Sequence, residues 1–240
     1  MEKETKKWNQ YLFEFLMLFM AVTLGFFVDN LREGRAERQL EIQHIASLIS
    51  DLRQDTVRFN RQISEANMVI SMSDSIVQLL SKNELQEKDQ QRMYFLVRAM
   101  SPKILPHFVN DRTFEEMRGS GLLRLISKNN IADSISTYYF ISKELLWLNE
   151  LVLTRFQRKV ELESKLFRAD LFEEMLNKKT FAFQPLSGIA PLATKDPSLL
   201  NEFGVAIHYI SSVTAFRKNY LIRLRANANR LLSTLNEAYD

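Results

Sequence analysis

Three histidines, His44, His107 and His208, are the only imidazoles in this chain of 240 residues, and no two stand four apart on a helix face. A metal site would need them to meet carboxylates from distant segments, and no spacing here brings that about. With no cysteine in the sequence, a thiolate metal site, a disulfide framework, a Cys nucleophile and a lipidated Cys anchor are all excluded. Glu115 and Glu116 look like a carboxylate pair, but neighbouring helical residues point about 100° apart. They do not converge on one substrate, and they read as favourable charge near a helix N-terminus. The Gly-Ser-Gly of 119–121 reads as a chain reversal rather than an anion-binding loop. Arg217, Arg223, Arg225 and Arg230 read as the solvated outer face of a last helix. There is no phosphate loop, no Gly-x-Ser-x-Gly elbow and no His-Glu-x-x-His. The residues therefore name no catalytic, cofactor-binding or metal-binding set, and the expectation is a protein that is not an enzyme.

One further titratable group stands apart. Glu14 is the single charge in Tyr11–Val28, which reads YLFEFLMLFMAVTLGFFV. At 1.5 Å per residue this run makes about 27 Å of helix, enough for the hydrocarbon core of a bilayer. Trp8 and Tyr11 stand at one boundary and Phe26 and Phe27 at the other, as at a headgroup level. A cleaved signal peptide would also begin with Lys3, Lys6 and Lys7, but the run ends in Gly-Phe-Phe-Val-Asp-Asn, without the small residues of a cleavage site. The length also exceeds that of an ordinary core helix. The reading is a permanent transmembrane anchor, in which Glu14 lies one turn from the boundary and reaches the interface or a neighbouring helix. Ala21, Thr23 and Gly25 would let another copy approach closely, and the contact would continue through Val28 and Leu31. Basic residues on the two flanks tie, and the α-amino group tips the balance toward N-terminus inside.

The remainder reads as helical. Hydrophobic residues are 46% and charged residues 25% of the chain, too apolar for disorder. Only six Gly and five Pro occur, so breakers are few and helices long. The net charge of +3 is small and scattered, which argues against nucleic acid as a partner. A 3-4 spacing runs through Ile42, Ile45, Ile49, Leu52, Thr56, Phe59, Ile63, Ala66, Ile70, Ser73, Val77 and Leu80, a heptad stripe. A second helical stretch covers 129–178 with Ile131, Ile135, Tyr138, Ile141, Leu145, Leu148 and Val152 on one face. A third covers 205–237 with Ala206, Ile210, Val213, Tyr220, Leu224, Ala228, Leu231 and Leu235, and a shorter helix covers 86–100. The fold class is all-α: a flank at 1–10, a transmembrane helix at 11–28, and an antiparallel helical bundle at 29–240. A loop or lid at 179–204 holds five of the breakers, Pro185, Gly188, Pro191, Pro197 and Gly204, and Phe181, Phe183, Leu186, Ile189 and Leu192 imply that parts of it pack.

The most distinctive stretch is Thr-Phe-Glu-Glu-Met-Arg-Gly-Ser-Gly-Leu-Leu-Arg-Leu-Ile at 113–126. Thr113 and Glu116 have capping-box spacing and would open a short helix carrying Phe114. Gly119 and Gly121 would then reverse the chain, so that Leu122, Leu123, Leu125 and Ile126 pack back on the bundle. Together with Val-Asp-Asn-Leu-Arg-Glu after the anchor, a Tyr-Tyr pair at 138–139 and an early acidic residue in the membrane helix, this block resembles an uncharacterised family of bacterial single-pass membrane proteins. That resemblance implies the same layout over nearly the whole chain, and no reaction.

The expected function is that of a membrane-anchored scaffold or interaction protein of the bacterial envelope. It would sit in the inner membrane with the bundle on the periplasmic side, acting through homo-oligomerisation and envelope protein partners. A sensor is the alternative, although Arg223–Asp240 is too charged to span and the segment before the anchor is short. A tethered enzyme with an unread motif is the third reading. No cofactor is implied.

Overall fold

The computed structural model describes residues 2–126, 128–180 and 182–239, without the side chains of 2–7, 9 and 129. The protein is all-α. Its axis is one helix, α1, Glu2–Leu80, about 120 Å long at 1.5 Å per residue. The chain then forms α2 (Glu87–Met100), α3 (Arg112–Ser120), α4 (Asn129–Ser142), α5 (Glu144–Leu166), α6 (Ala169–Glu174) and α7 (Pro197–Tyr239). Two 3-10 turns, Ser101–Lys103 and Leu122–Leu125, complete it.

α7 runs antiparallel to α1 along the whole bundle. Gly204 lies against Leu80 at the far end, Lys218 Nζ donates to Asn67 at 3.2 Å midway, and the Tyr239 hydroxyl meets Glu41 near the apolar run. α5 lies beside α7, and α2 lies beside α1. Two cores result. The core nearer the exposed apolar run of α1 gathers Ile45, Leu48, Leu52 and Phe59 with Phe114, Tyr139, Leu148 and Leu224. The far one gathers Val69, Ile76, Tyr94, Val97, Leu166, Phe203 and Ile210. Each fully buried large side chain contributes about 1.5–3 kcal/mol of transfer energy.

The heptad stripe of α1 is real but is displaced at every second position. Ile45, Leu52, Phe59, Ala66 and Ser73 are buried where expected, but their partners are Glu41, Leu48, Asp55, Gln62, Val69 and Ile76. The expected Ile42 and Val77 are 47% and 38% exposed, and Ile49, Thr56, Ile63 and Ile70 lie at the edge of the face. An apolar pattern follows the hydrophobic neighbour. The fold instead buries Glu41 and Asp55, because each meets a hydrogen-bond donor there.

Other boundaries also moved. The stretch 129–178 is three helices, interrupted at Lys143 and at Phe167–Arg168. The last helix begins at Pro197 rather than 205, because proline's fixed φ and missing N–H suit a first helical position. The intervening loop is stitched down by α2. The Tyr94 hydroxyl accepts from Arg168 N at 2.8 Å and donates to Pro191 O at 3.0 Å, and Gln90 Oε1 accepts from Leu192 N at 3.0 Å. Leu186 and Leu192 are buried, Phe183 is half-buried, and Ile189 is 68% exposed, contrary to expectation. Phe181 lies outside the described residues.

Candidate functional site

Residues 10–36 of α1 are exposed on every side. Within them an 18-residue window reaches a mean hydropathy of 2.1, and none of it is buried. A run this apolar and this bare is a candidate membrane span. Glu14, Ala21, Gly25 and Val28, spaced seven, four and three apart on one continuous helix, fall on a single stripe. Leu31 lies at its edge. Nothing approaches the place where a Cβ on Gly25 would stand. Ala21 and Gly25 thus make a small-x-x-x-small pair on an uncovered face.

The distinctive block sits elsewhere, in a polar joint against α1 that the sequence reading did not find. Asp51 and Asp55 stand one turn apart. Both oxygens of Asp55 accept the backbone N–H of Asn110, at 3.1 and 3.0 Å. Asp51 accepts from Asn110 Nδ2 at 2.7 Å and from the Thr113 hydroxyl. The Tyr139 hydroxyl donates to Asn110 O at 3.2 Å, and the Tyr139 ring stacks on Phe114 with centroids 4.3 Å apart. Arg58 closes the outer side, pairing with Asp55 at 3.4 Å and donating to Phe108 O at 3.2 Å.

Thr113 is therefore no capping residue. It lies inside α3, which begins after Asp111, and its hydroxyl serves Asp51. Glu116 and Gly119 are exposed, and Gly119 is helical. Gly121 does reverse the chain, with φ of 79° that a side chain would strain. Ile126 is buried behind it, Leu122 and Leu123 pack against the near core, and Leu125 is half-buried. The Glu14–Val28 stripe and this block are not brought together.

Burial governs the electrostatics. Asp55 is pushed up to about 6 by burial, against the opposing Asn110 N–H and Arg58, with Asp51 and Asp111 adding to the rise. His107 is held down at about 3 by burial and then by the charges of Arg217 and Arg61. Its backbone is clasped by Asn149, which accepts from His107 N at 2.9 Å and donates to His107 O at 2.6 Å.

Arg217 corrects the solvated-face reading. It is 1% exposed, and its guanidinium donates to Leu105 O at 3.0 Å. Burial lowers it to about 10, so it stays charged at neutral pH. Arg223 and Arg230 are exposed and Arg225 is half-buried. In the far core Lys159, fully buried, pairs with Glu163 and donates to Ser101 Oγ at 3.1 Å. Burial lowers the lysine and raises the glutamate.

The buried charges pair with one another and with backbone groups, and these contacts fix chain segments to one another, while His107 Nδ1 and Arg217 Nε are buried without a hydrogen-bond partner. Among the described residues no three His, Cys, Asp or Glu side chains gather as a metal site would require. The signal for Asp51 and Asp55 was present as carboxylates spaced by four on a buried heptad face, and Arg217 stands between Ile210 and Leu224 on the apolar face of α7.

Compared with protein-family models, curated proteins and solved structures, the chain matches none.

Proposed function

We propose that this is a single-pass membrane protein of the bacterial envelope that works as a self-associating scaffold, displaying its bundle to protein partners. The observation that carries the proposal is the continuity of α1. One unbroken helix leads from an uncovered apolar run into the centre of both cores. The arrangement serves as a stalk: the run enters lipid, and a helical neck of about ten residues between Val28 and Arg38 places the near core about 15 Å from it. At that end Arg38 lies over the Tyr239 ring at 5.2 Å and pairs with Glu41, tying the start of the bundle to its last residues.

The homo-oligomer follows from the stripe of Glu14, Ala21, Gly25 and Val28, continued by Leu31. Small residues permit close helix approach in lipid, and a carboxylate can hydrogen-bond across the contact. The inner membrane, a bundle on the periplasmic side and membership of the single-pass family suggested by the 113–126 block belong to the same proposal.

Extraction tests the anchor. The full chain should stay in the membrane pellet after alkaline carbonate, while a fragment beginning at Glu37 should be released. Release of the intact chain by salt alone would contradict the spanning role of Tyr11–Val28.

The continuity of α1 also favours a second reading, a sensor. A rotation imposed at the far end of an unbroken helix is carried to its membrane end. Cross-linking of single cysteines placed at 21 and 25 separates the two readings. A scaffold gives one pattern under all conditions, and a sensor changes it with its stimulus.

A further inference from the structure

The seam between α5 and α7 is antiparallel, and three contacts fix its register. Arg158 pairs with Glu202, Arg155 lies over the Tyr209 ring at 5.2 Å, and Glu144 faces the Tyr220 hydroxyl. Steps along α5 are matched by equal steps back along α7, which places Leu151 level with Val213 and Trp147 within a residue of Phe216. The layers between the polar ends are therefore apolar. Trp147, Tyr209 and Phe216 are each more than half exposed, and Leu151 and Val213 are half-buried. The ladder opens to solvent over about 12 Å of helix, from Trp147 to Arg155. Aromatic rings gathered along one uncovered seam mark a contact surface, since Trp, Tyr and Arg are the types that carry interface energy.

Position and charge narrow what covers it. Asn60 bridges to Arg225 and Asn67 to Lys218, which sets Phe216 level with Val69, about 60 Å of helix from Val28. A bilayer around the apolar run does not reach the seam. Arg155 stands at the Tyr209 end, and Arg223, over the Tyr220 ring at 6.0 Å, stands beyond Phe216. Neither has an ion-pair partner among the described residues. The carboxylates at the ends of the ladder, Glu202 and Glu144, are engaged with Arg158 and Tyr220. Lys143 and Glu150, both exposed on the outer face of α5, offset each other. The rim is thus cationic at both ends, and a second copy seated by the same face would set arginines against arginines.

We propose that this seam docks an amphipathic helix of a partner protein, with aliphatic side chains on Trp147, Leu151 and Phe216 and carboxylates at Arg155 and Arg223, an assignment that rests on the scaffold reading and gives it a surface. The span supports the length. Tyr209, under Arg155, and Arg223 are about 21 Å apart along α7, which a partner helix of about four turns matches with acidic residues in its first and last turns.

The test uses the full chain with Trp8→Phe in maltoside micelles, so that Trp147 is its only tryptophan. The probe is a tryptophan-free helical peptide of about 18 residues, with leucines three and four apart on one face and glutamates in its end turns. Empty micelles are the blank. A saturable blue shift of Trp147 emission is expected. Lysines in place of the peptide's glutamates should weaken binding about tenfold, as should Arg223→Glu with the original peptide, and Phe216→Glu should weaken it further. If Phe216→Glu lowers the melting temperature, Arg223→Glu and the comparison of the two peptides carry the test alone. No saturable shift above the blank overturns the proposal, as does equal binding of the acidic and basic peptides. An oligomer that Phe216→Glu dissociates would show the seam covered by a second copy and overturn it too. An oligomeric chain that ignores the peptide leaves the scaffold standing and sinks only the docking seam.

Discussion

Asp55 on α1 accepts the backbone N–H of Asn110 through both carboxylate oxygens, at 3.1 and 3.0 Å, across 55 residues of sequence. This bond seats the segment leading into α3 on the central helix. The burial of this joint also gives the domain a pH signature, because it raises Asp55 to about 6, against the Asn110 bond, while burial lowers His107 to about 3.

The two shifts have opposite linkage. For Asp55 the folded state holds its proton more tightly than the unfolded state, so its stabilisation is full below the ordinary value near 4 and is lost as pH rises to about 6. For His107 the folded state resists protonation, so its stabilisation is present above the ordinary value of 6.5 and is lost as pH falls toward 3. Between about pH 4 and 6 the two slopes oppose each other. Thermal melts across this window should show Asp55→Asn gaining stability with rising pH relative to wild type, and His107→Gln losing it. Parallel curves for all three proteins would contradict the assigned shifts.

The displaced heptad stripe makes a sharper prediction. Leu48 is fully buried and Ile42 is 47% exposed. Leu48→Ala should cost about 2–5 kcal/mol in chemical denaturation, and Ile42→Ala less than about 1 kcal/mol. Equal costs would return the core face to the apolar positions.

That displacement shows what the sequence made legible. The all-α class, the long helices and the apolar run followed from few breakers and a strong 3.5-residue period. Periodicity located the face of α1 to within one residue but preferred Ile42 to Glu41 and Thr56 to Asp55, because it scores side chains one at a time. Whether a carboxylate can be buried depends on a donor such as Asn110 N–H, supplied by a segment that local pattern does not place. The same holds for Thr113, whose spacing to Glu116 matched a local cap while its hydroxyl served Asp51. Arg217 was assigned outward by residue type, although its neighbours in the period are core residues.

Arg217 itself is testable. Removing the side chain leaves Leu105 O without its donor in a buried place, and Arg217→Ala should cost about 2–4 kcal/mol. Arg217→Met keeps much of the volume and should cost less. In both variants the His107 imidazole should titrate higher than in wild type, since a repelling charge is gone. NMR titration of the His107 ring checks this, and an unmoved His107 would show that burial alone holds it down.

The central claim is that the apolar stripe of α1 joins copies of this chain in the membrane, and native mass measurement in nanodiscs at micromolar protein tests it most directly. The full chain should be oligomeric. Glu14→Ala and Gly25→Leu, whose positions are exposed in the single chain, should shift it toward monomer without lowering the melting temperature of the bundle. A wild-type chain that is monomeric at that concentration would contradict the account, as would an oligomer that both substitutions leave intact.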